Sequence, residues 1–433
     1  MDPLILALAG FCIMLALIAL RVPIGVSMAL CGVAGFAQIA GWGAAVSLIA
    51  SEPASAMSNL DLSVIPLFML MGSLAVAGGL ATDIYDVAEA LIGHRRGGLA
   101  TTTIVASAGF GSVCGSAVAT TATFGRVAMP EMLARGSKPG LAAGAVAAGG
   151  TLGIIVPPSG IAILYSVLSE QSILQLFAAC IIPAGLAVLS YLAAIQIFVR
   201  RDPDAAPPGE MLPLPARLRA ARKAWSVIVL ATAVLGGIYS GIFTVNEAAS
   251  VGVFIAFLFL VMRGKLTRKT FVRILADASS ASAMIYIMVF GANIFSYFIS
   301  ITGAAAFIIN AIAVLPVPPV VIIFGLVGVY IFLGAFFDEV AALVITLPFV
   351  IPLMQHLGYD LIWWGVINII LIGLGMLTPP IGINVMLLNT MYREIPMGVI
   401  IRGVVPFICA GIFMLVILIA FPQLSLWLPS VLQ

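Results

Sequence analysis

Charged side chains are scarce. Asp, Glu, Lys and Arg together make up 8% of the 433 residues, against about 25% in a soluble globular domain. Too little polar surface is available to cover a water-facing body, which excludes a soluble enzyme, a nucleic-acid binder and a disordered chain. Only two histidines occur, His94 and His356, so no cluster exists for zinc, haem or a catalytic triad. The five cysteines, Cys12, Cys31, Cys114, Cys180 and Cys409, all lie in apolar runs. Neither a disulfide framework nor metal-ligand spacing follows from them. Met1-Asp2-Pro3 brings no basic region and no small-residue cleavage pattern, so residues 4–20 read as an uncleaved span. What fills the chain is apolar: 63% hydrophobic residues and a mean hydropathy of +1.23. The composition predicts an all-α polytopic membrane protein in a lipid bilayer.

Apolar runs long enough to act as spans cover residues 4–20, 22–41, 64–81, 141–169, 173–199, 225–241, 248–262, 276–301, 361–388 and 397–421. Two further stretches, 99–133 and 320–354, are too long for one helix and are interrupted near their middles by GSVCGSA and GAFFDE. Each is predicted to be a re-entrant hairpin, over about 99–134 and 319–356, in preference to one deeply kinked helix. The net charge of +2 is uninformative, but its placement is not. With the linker 200–224 in the cytoplasm, all 19 basic residues fall on or toward that side. The outer loops then keep Asp2, Glu52, Asp61, Glu170, Glu247 and Asp360, and both termini lie outside. The first hairpin opens to the cytoplasm and the second to the exterior.

The sequence also repeats itself. Gly153-Ile-Ile-Val-Pro-Pro-Ser-Gly-Ile161 matches Gly375-Met-Leu-Thr-Pro-Pro-Ile-Gly-Ile383 at an offset of 379 − 157 = 222. A glycine-rich hairpin tip and a Met/Leu-Pro precede each copy, and a proline follows each. Residues 1–199 and 225–433 therefore read as two repeats of opposite membrane orientation. Each has three spans, a short amphipathic arm, a hairpin, a broken helix (about 139–169 and 361–392) and a final span. A double proline in mid-span removes two N–H donors, and bare backbone at membrane depth is tolerated only inside protein or along a wet cavity. Inverted repeats, broken helices and mid-membrane tips together are the layout of a secondary transporter. In that layout unwound carbonyls hold a coupling cation and helix N-termini face an anionic substrate.

Polar residues at the predicted mid-depth are few. Ser112, Gly115, Ser116, Thr120 and Thr121 belong to the first tip, and Gly334, Asp338 and Glu339 to the second. The broken helices add Ser159, Thr378 and Asn384. Hard cations take such oxygen ligands, although the same residues also cap short helices. Asp338 and Glu339 are the only adjacent acids at that depth, where ionisable groups are functional by default. Asn293 sits in mid-span and suits either an interhelical hydrogen bond or a substrate contact. Glu247 reads as a capping acid. The arm over 83–96 suits an interfacial helix, and the basic end of the proline-rich linker suits lipid anchoring.

Several segments resemble the large membrane subunit of TRAP (tripartite ATP-independent periplasmic) transporters. They are FGSVCGSAVATTATFGRVAMPEM, AAGGTLGIIVPPSGIAILYSVLSEQSILQLFAACIIPAG, FDEVAALVITLPFVIPLM and LTPPIGINVML, and the likeness runs from Arg21-Val-Pro-Ile to the last span. The resemblance implies sodium-driven uptake of a small organic anion across the cell inner membrane by an elevator motion of hairpins and broken helices. It also implies two partners, a periplasmic substrate-binding protein and a small four-helix membrane subunit, the latter expected as a separate chain. Carried over, one sodium site would draw on Ser112, Gly115, Ser116, Pro157 and Ser159. The other would draw on Gly334, Asp338, Thr378, Gly382 and Asn384, with Ser116, Thr120, Ser159 and Asn293 facing substrate. Thr120 stands where many members carry an acid. Two alternatives remain: a single-component sodium/dicarboxylate symporter of related architecture, and an intramembrane aspartyl hydrolase. The hydrolase would need two carboxylates from different helices in one site, whereas Asp338 and Glu339 are sequence neighbours.

Overall fold

A computed structural model describes residues 2–209, 211, 213–314 and 316–432, and these are helical almost throughout. The first half opens with α1 (Pro3–Ala19), α2 (Ile24–Ala40), α3 (Trp42–Ser58), α4 (Leu60–Gly78) and the amphipathic α5 (Leu80–Ile92). It continues with α6 (Gly98–Cys114), α7 (Ala117–Ala134), α8 (Pro139–Ile155), α9 (Gly160–Leu168) and the long α10 (Ile173–Arg201). A 3-10 turn at Pro203–Ala205 and α11 (Leu214–Lys223) form the connector. Next, α12 (Trp225–Ala231) passes through a π turn at Thr232–Gly236 into α13 (Gly237–Tyr239), followed by α14 (Val245–Met262), α15 (Arg268–Thr302) and α16 (Ala304–Ala313). The chain ends with α17 (Pro319–Phe336), α18 (Glu339–His356), α19 (Leu361–Gly375), α20 (Ile383–Met391), α21 (Met397–Ala420) and α22 (Gln423–Val431).

Among the described residues seven helices are long and apolar enough to cross a membrane, or nine if bent pairs count as one span each. The protein is a polytopic helical membrane protein. Its outer faces carry the apolar belt that lipid requires, including Phe324, Phe332 and Phe336 of α17 and Phe413 of α21. Helix starts follow local chemistry. Thr244 and Glu247 form a reciprocal capping box on α14, so Glu247 is the capping acid its position predicts. Ser172, Thr267 and Asp360 cap α10, α15 and α19.

Both long interrupted stretches fold back as hairpins. Thr103 Oγ1 donates to Met132 Sδ at 3.8 Å, which aligns α6 and α7 antiparallel. The hydroxyls of Tyr330 and Thr346, 2.6 Å apart, do the same for α17 and α18. At the centre lie α8 and α19, where every residue from Leu141 to Ile155 and from Ile362 to Gly375 is buried. A helix apolar on all faces belongs inside the bundle. Glycines allow α8 to meet α21 backbone to backbone: a Cβ on Gly403 would lie 1.8 Å from the carbonyl oxygen of Gly140.

Three local expectations are corrected. Glu52 lies in no outer loop; it is buried within α3, a helix that the polar segment Ser51–Ser58 conceals in the sequence. The charges of α5 are spent on protein: Asp83 pairs with Arg263, Asp86 with Lys223 at 2.9 Å, and Glu89 with Arg135 at 2.5 Å. The basic end of the linker is correspondingly no simple lipid anchor, because α11 packs on α5 and Lys223 belongs to that set of ion pairs.

Gly403→Leu is expected to destabilise the protein by about 1–3 kcal/mol by forcing α8 and α21 apart. Gly398→Ala, where a Cβ meets nothing within 4 Å, is expected to be neutral. Thermal unfolding of the two purified variants in detergent tests this, and equal melting points would refute the tight crossing.

Candidate functional site

Each double proline interrupts a buried helix. Pro157 and Pro158 withdraw the amides that would bond the carbonyls of Gly153 and Ile154, and α9 resumes at a 42° bend from α8. Pro379 and Pro380 end α19, and there the chain turns tightly. Thr378 N–H donates to Gly375 O at 2.9 Å, and Asn384 N–H to Met376 O at 3.3 Å. Both Pro-Pro bonds are cis.

The hairpin tips cover these breaks. At the first tip Gly115 takes a φ of +64°, a left-handed value suited to glycine. Its carbonyl accepts the amide of Gly160 at 3.2 Å, which attaches the tip to the start of α9. At the second, the carbonyl of Ala335 accepts the amide of Gly382 at 3.3 Å, which attaches that tip to the start of α20. Gly334 and Gly375 cross so closely that a Cβ on Gly334 would lie 2.8 Å from Gly375 Cα.

The two tips also touch each other. Ser116 Oγ donates to Glu339 Oε1 at 3.5 Å across 223 positions of sequence. Asn384 of α20 reaches back to α8, with its Nδ2 donating to Ala147 O at 3.2 Å. Tyr392 OH donates to Gly125 O at 2.7 Å, and Tyr165 OH to Leu361 O at 2.6 Å, so each broken helix is tied to the opposite half of the chain.

Four helix N-termini therefore meet here, those of α7, α9, α18 and α20. Ser116 Oγ accepts from Ala119 N–H at 3.5 Å and Ser159 Oγ from Ala162 N–H at 3.4 Å. Asp338 Oδ1 accepts from Val340 and Ala341 N–H at 3.0 and 2.8 Å, and Gly382 precedes α20 in the left-handed region. Asp338 is thus an N-cap, and its second oxygen remains available. Ser112, Thr120 and Thr378 donate within their own turns, to Gly109 O, Ser116 O and Leu374 O at 2.7, 2.8 and 2.7 Å.

Among the buried oxygens that have no hydrogen-bond partner among the described residues are Thr121 Oγ1, Asn384 Oδ1 and Glu339 Oε2. Thr121 and Asn384 face each other over Gly150, where a Cβ would lie 1.8 Å from Thr121 Oγ1 and 3.1 Å from Asn384 Nδ2. No group of three or more His, Cys, Asp or Glu that could hold a metal exists among the described residues. Hydroxyl, amide and main-chain oxygens with the carboxylates of Asp338 and Glu339, and no thiolate or imidazole, suit a hard cation better than a transition metal. The helix N-termini beside them suit an anion.

The structure gathers Gly115, Ser116, Thr120, Ser159, Gly334, Asp338, Gly382 and Asn384 at the tips and breaks. Pro157 and Thr378 lie in the breaks themselves. Asn293 stands apart: its Nδ2 donates to Glu52 at 3.1 Å, and both residues line a polar cavity of about 450 Å³ with Glu170, Ser296 and Ser300. The predicted ligand sets omit Glu339 and Thr121. Their signals were the Asp-Glu pair and the Thr-Thr pair, from which the sequence offers no means of choosing the inward member.

Comparison with known proteins identifies a family. Residues 11–424 match the family model of the tripartite ATP-independent periplasmic transporter, DctM component. The chain is 31% identical to the C4-dicarboxylate TRAP transporter large permease protein DctM of Pseudomonas aeruginosa, over 86% of this chain and 87% of that protein. It is 29% identical to the sialic acid TRAP transporter large permease protein SiaM of Vibrio cholerae, over 89% and 90%. In fold it resembles the YdaH transporter of Alcanivorax borkumensis, with a TM-score of 0.61 at 14% identity over 90% of each chain.

Thr121→Val removes a buried hydroxyl that has no protein partner. In sodium-free buffer it is expected to stabilise the fold by about 1 kcal/mol. A lower melting point than the parent's would mean that this hydroxyl is already satisfied.

Proposed function

The chain belongs to the tripartite ATP-independent periplasmic transporter family as its DctM component, and from that premise we propose that it is the large permease subunit of a sodium-coupled importer of a small organic anion. As a member of a transporter family it is not an enzyme, which sets the hydrolase alternative aside. The observation that carries the proposal is the meeting of both hairpin tips with both helix breaks, joined by Ser116 and Glu339.

In this reading residues 1–199 and 225–433 are two repeats of opposite orientation, joined by a cytoplasmic linker over 200–224. The matched order of hairpin, broken helix and long helix supports it: α6 to α10 in one half and α17 to α21 in the other. One sodium ion is held where the first tip meets the α8–α9 break, by oxygens of Ser112, Gly115, Ser116, Pro157 and Ser159. A second is held where the other tip meets the α19–α20 break, by Gly334, Asp338, Thr378, Gly382 and Asn384. We add Thr121 and Glu339 to the polar lining, on the strength of their unpartnered oxygens. The anion sits between the tips against Ser116, Thr120 and Ser159, where helix N-termini supply positive potential without an arginine. Asn293, held by Glu52, acts at the outer cavity instead.

Hairpins and broken helices move together as an elevator against the remaining spans. The protein resides in the inner membrane with both termini periplasmic. A periplasmic binding protein delivers the cargo, and a small four-helix subunit braces the scaffold.

Two experiments test the proposal. Sodium at ten times its Kd is expected to stabilise the purified chain by about 1.4 kcal/mol relative to choline. Asp338→Asn preserves the cap but is expected to lose much of this sodium effect; equal melting points for the parent in sodium and choline would refute coupling. In vesicles holding the chain with its small subunit, uptake of the binding protein's ligand is expected to require both that protein and an inward sodium gradient. Uptake without the binding protein would favour the single-component alternative. Ser116→Leu is expected to abolish uptake, and wild-type rates would remove this tip from the path.

A further inference from the structure

A cavity of about 710 Å³ lies beside the first hairpin, between α4, α7 and the start of α15. One wall is a single face of α7 formed by Ala119, Ala122, Thr123 and Arg126, at helical spacing. This stripe begins three residues beyond Ser116, and the seven steps from Ala119 to Arg126 cover about 10 Å at 1.5 Å per residue. Small uncharged side chains line the end near the tip, and a guanidinium marks the other.

Opposite Arg126 the wall is also cationic, with Lys265, Lys269 and Arg273, against one acid, Asp277. Arg273 is already engaged with Asp277 at 3.8 Å, and Lys265 Nζ donates to Gly78 O at 3.2 Å. Arg126 and Lys269 take part in no ion pair among the described residues. Elsewhere on this flank charges are neutralised pairwise, as in Asp83–Arg263 and Asp86–Lys223. Cations left unneutralised across a cleft with low-dielectric walls raise its potential and concentrate anions.

We propose that this cavity is the cytoplasmic release passage and that its mouth is an anion-binding site, where Arg126 of the hairpin and Lys269 of α15 together receive a carboxylate or phosphate group. Naming the transported anion as the occupant rests on the uptake reading above; the cationic site itself does not. An anion held there contacts both the hairpin and α15, so it ties one to the other until it leaves. The same chemistry would fit an anionic lipid headgroup, and the test separates the two sources.

The full-length chain is prepared with its exposed cysteines replaced (Cys12→Ser, Cys409→Ser) and with Thr123→Cys as the reporter. Its modification rates by an anionic and a cationic methanethiosulfonate of similar size are compared. The anionic reagent is expected to react about tenfold faster. Arg126→Gln with Lys269→Gln is expected to bring the ratio near one, whereas Arg126→Lys retains it. Equal rates for both reagents in the otherwise unchanged protein would overturn the site. Citrate is expected to slow the reaction in phosphatidylcholine nanodiscs. Slowing by admixed phosphatidylglycerol without any effect of citrate would overturn the assignment to cargo and give the site to lipid. This readout needs neither sodium nor partner subunits, so its failure leaves coupled uptake standing, and a failure of uptake leaves the cationic site standing.

Discussion

A backbone polar group that loses its helical partner inside a bilayer must find another partner in the protein. That constraint orders this structure. Two proline pairs open α8 and α19 in the middle of the bundle, at the most deeply buried elements of the chain. Opening them elsewhere would expose carbonyls to lipid. The hairpins are the remedy: their tips reach the breaks and bond to them through main-chain groups, Gly115 to Gly160 and Ala335 to Gly382. Glycine suits the left-handed turns at Gly115 and Gly382, where a Cβ would crowd neighbouring carbonyls, and it lets Gly334 approach Gly375 so closely. The polar centre is therefore a consequence of covering the breaks, and the chemistry occupies what that covering leaves open.

The same constraint decides which parts were legible in the sequence. Proline pairs, glycine-rich interruptions and overlong apolar runs are local signals with a backbone mechanism, and they located both hairpins and both breaks. The capping role of Glu247 followed from Thr-Val-Asn-Glu for the same reason. Helix α3 was missed because Glu52, Pro53 and three serines look like a loop when tertiary burial is ignored. The π turn at Thr232–Gly236 and the short α22 leave no comparable mark. Contacts across 223 positions, such as Ser116 with Glu339, depend on how the halves meet and cannot be read from either segment alone. The register of adjacent like residues was hidden too: Thr120 bonds its own turn, while Thr121 faces Asn384 over Gly150.

Charge placement separates the bundle into two electrostatic regimes. On one flank α5 presents Asp83, Asp86 and Glu89 on successive turns, and each meets a cation from a different segment: the end of α14, the linker and the end of α7. Exposed ion pairs contribute little energy each, so their value lies in fixing α5 and α11 relative to the bundle. Beside them, Arg126 and Lys269 take part in no ion pair among the described residues. The contrast matters because acids stand nearby and are already taken.

At the tips the logic reverses, since almost no formal charge is present. A cation held by hydroxyls, carbonyls and one or two carboxylates is bound through many weak dipoles. Such a site would depend on the contact between tip and break. A clamp of several carboxylates would bind regardless of that contact. Asp338 fits this arrangement because one of its oxygens is committed to the N-terminus of α18. Its charge is shared between the helix and whatever lies beyond it. Glu339, one residue on, accepts a hydrogen bond from Ser116 of the first tip. The two tips, built on separate hairpins, are thereby linked by a long hydrogen bond at the centre of the bundle.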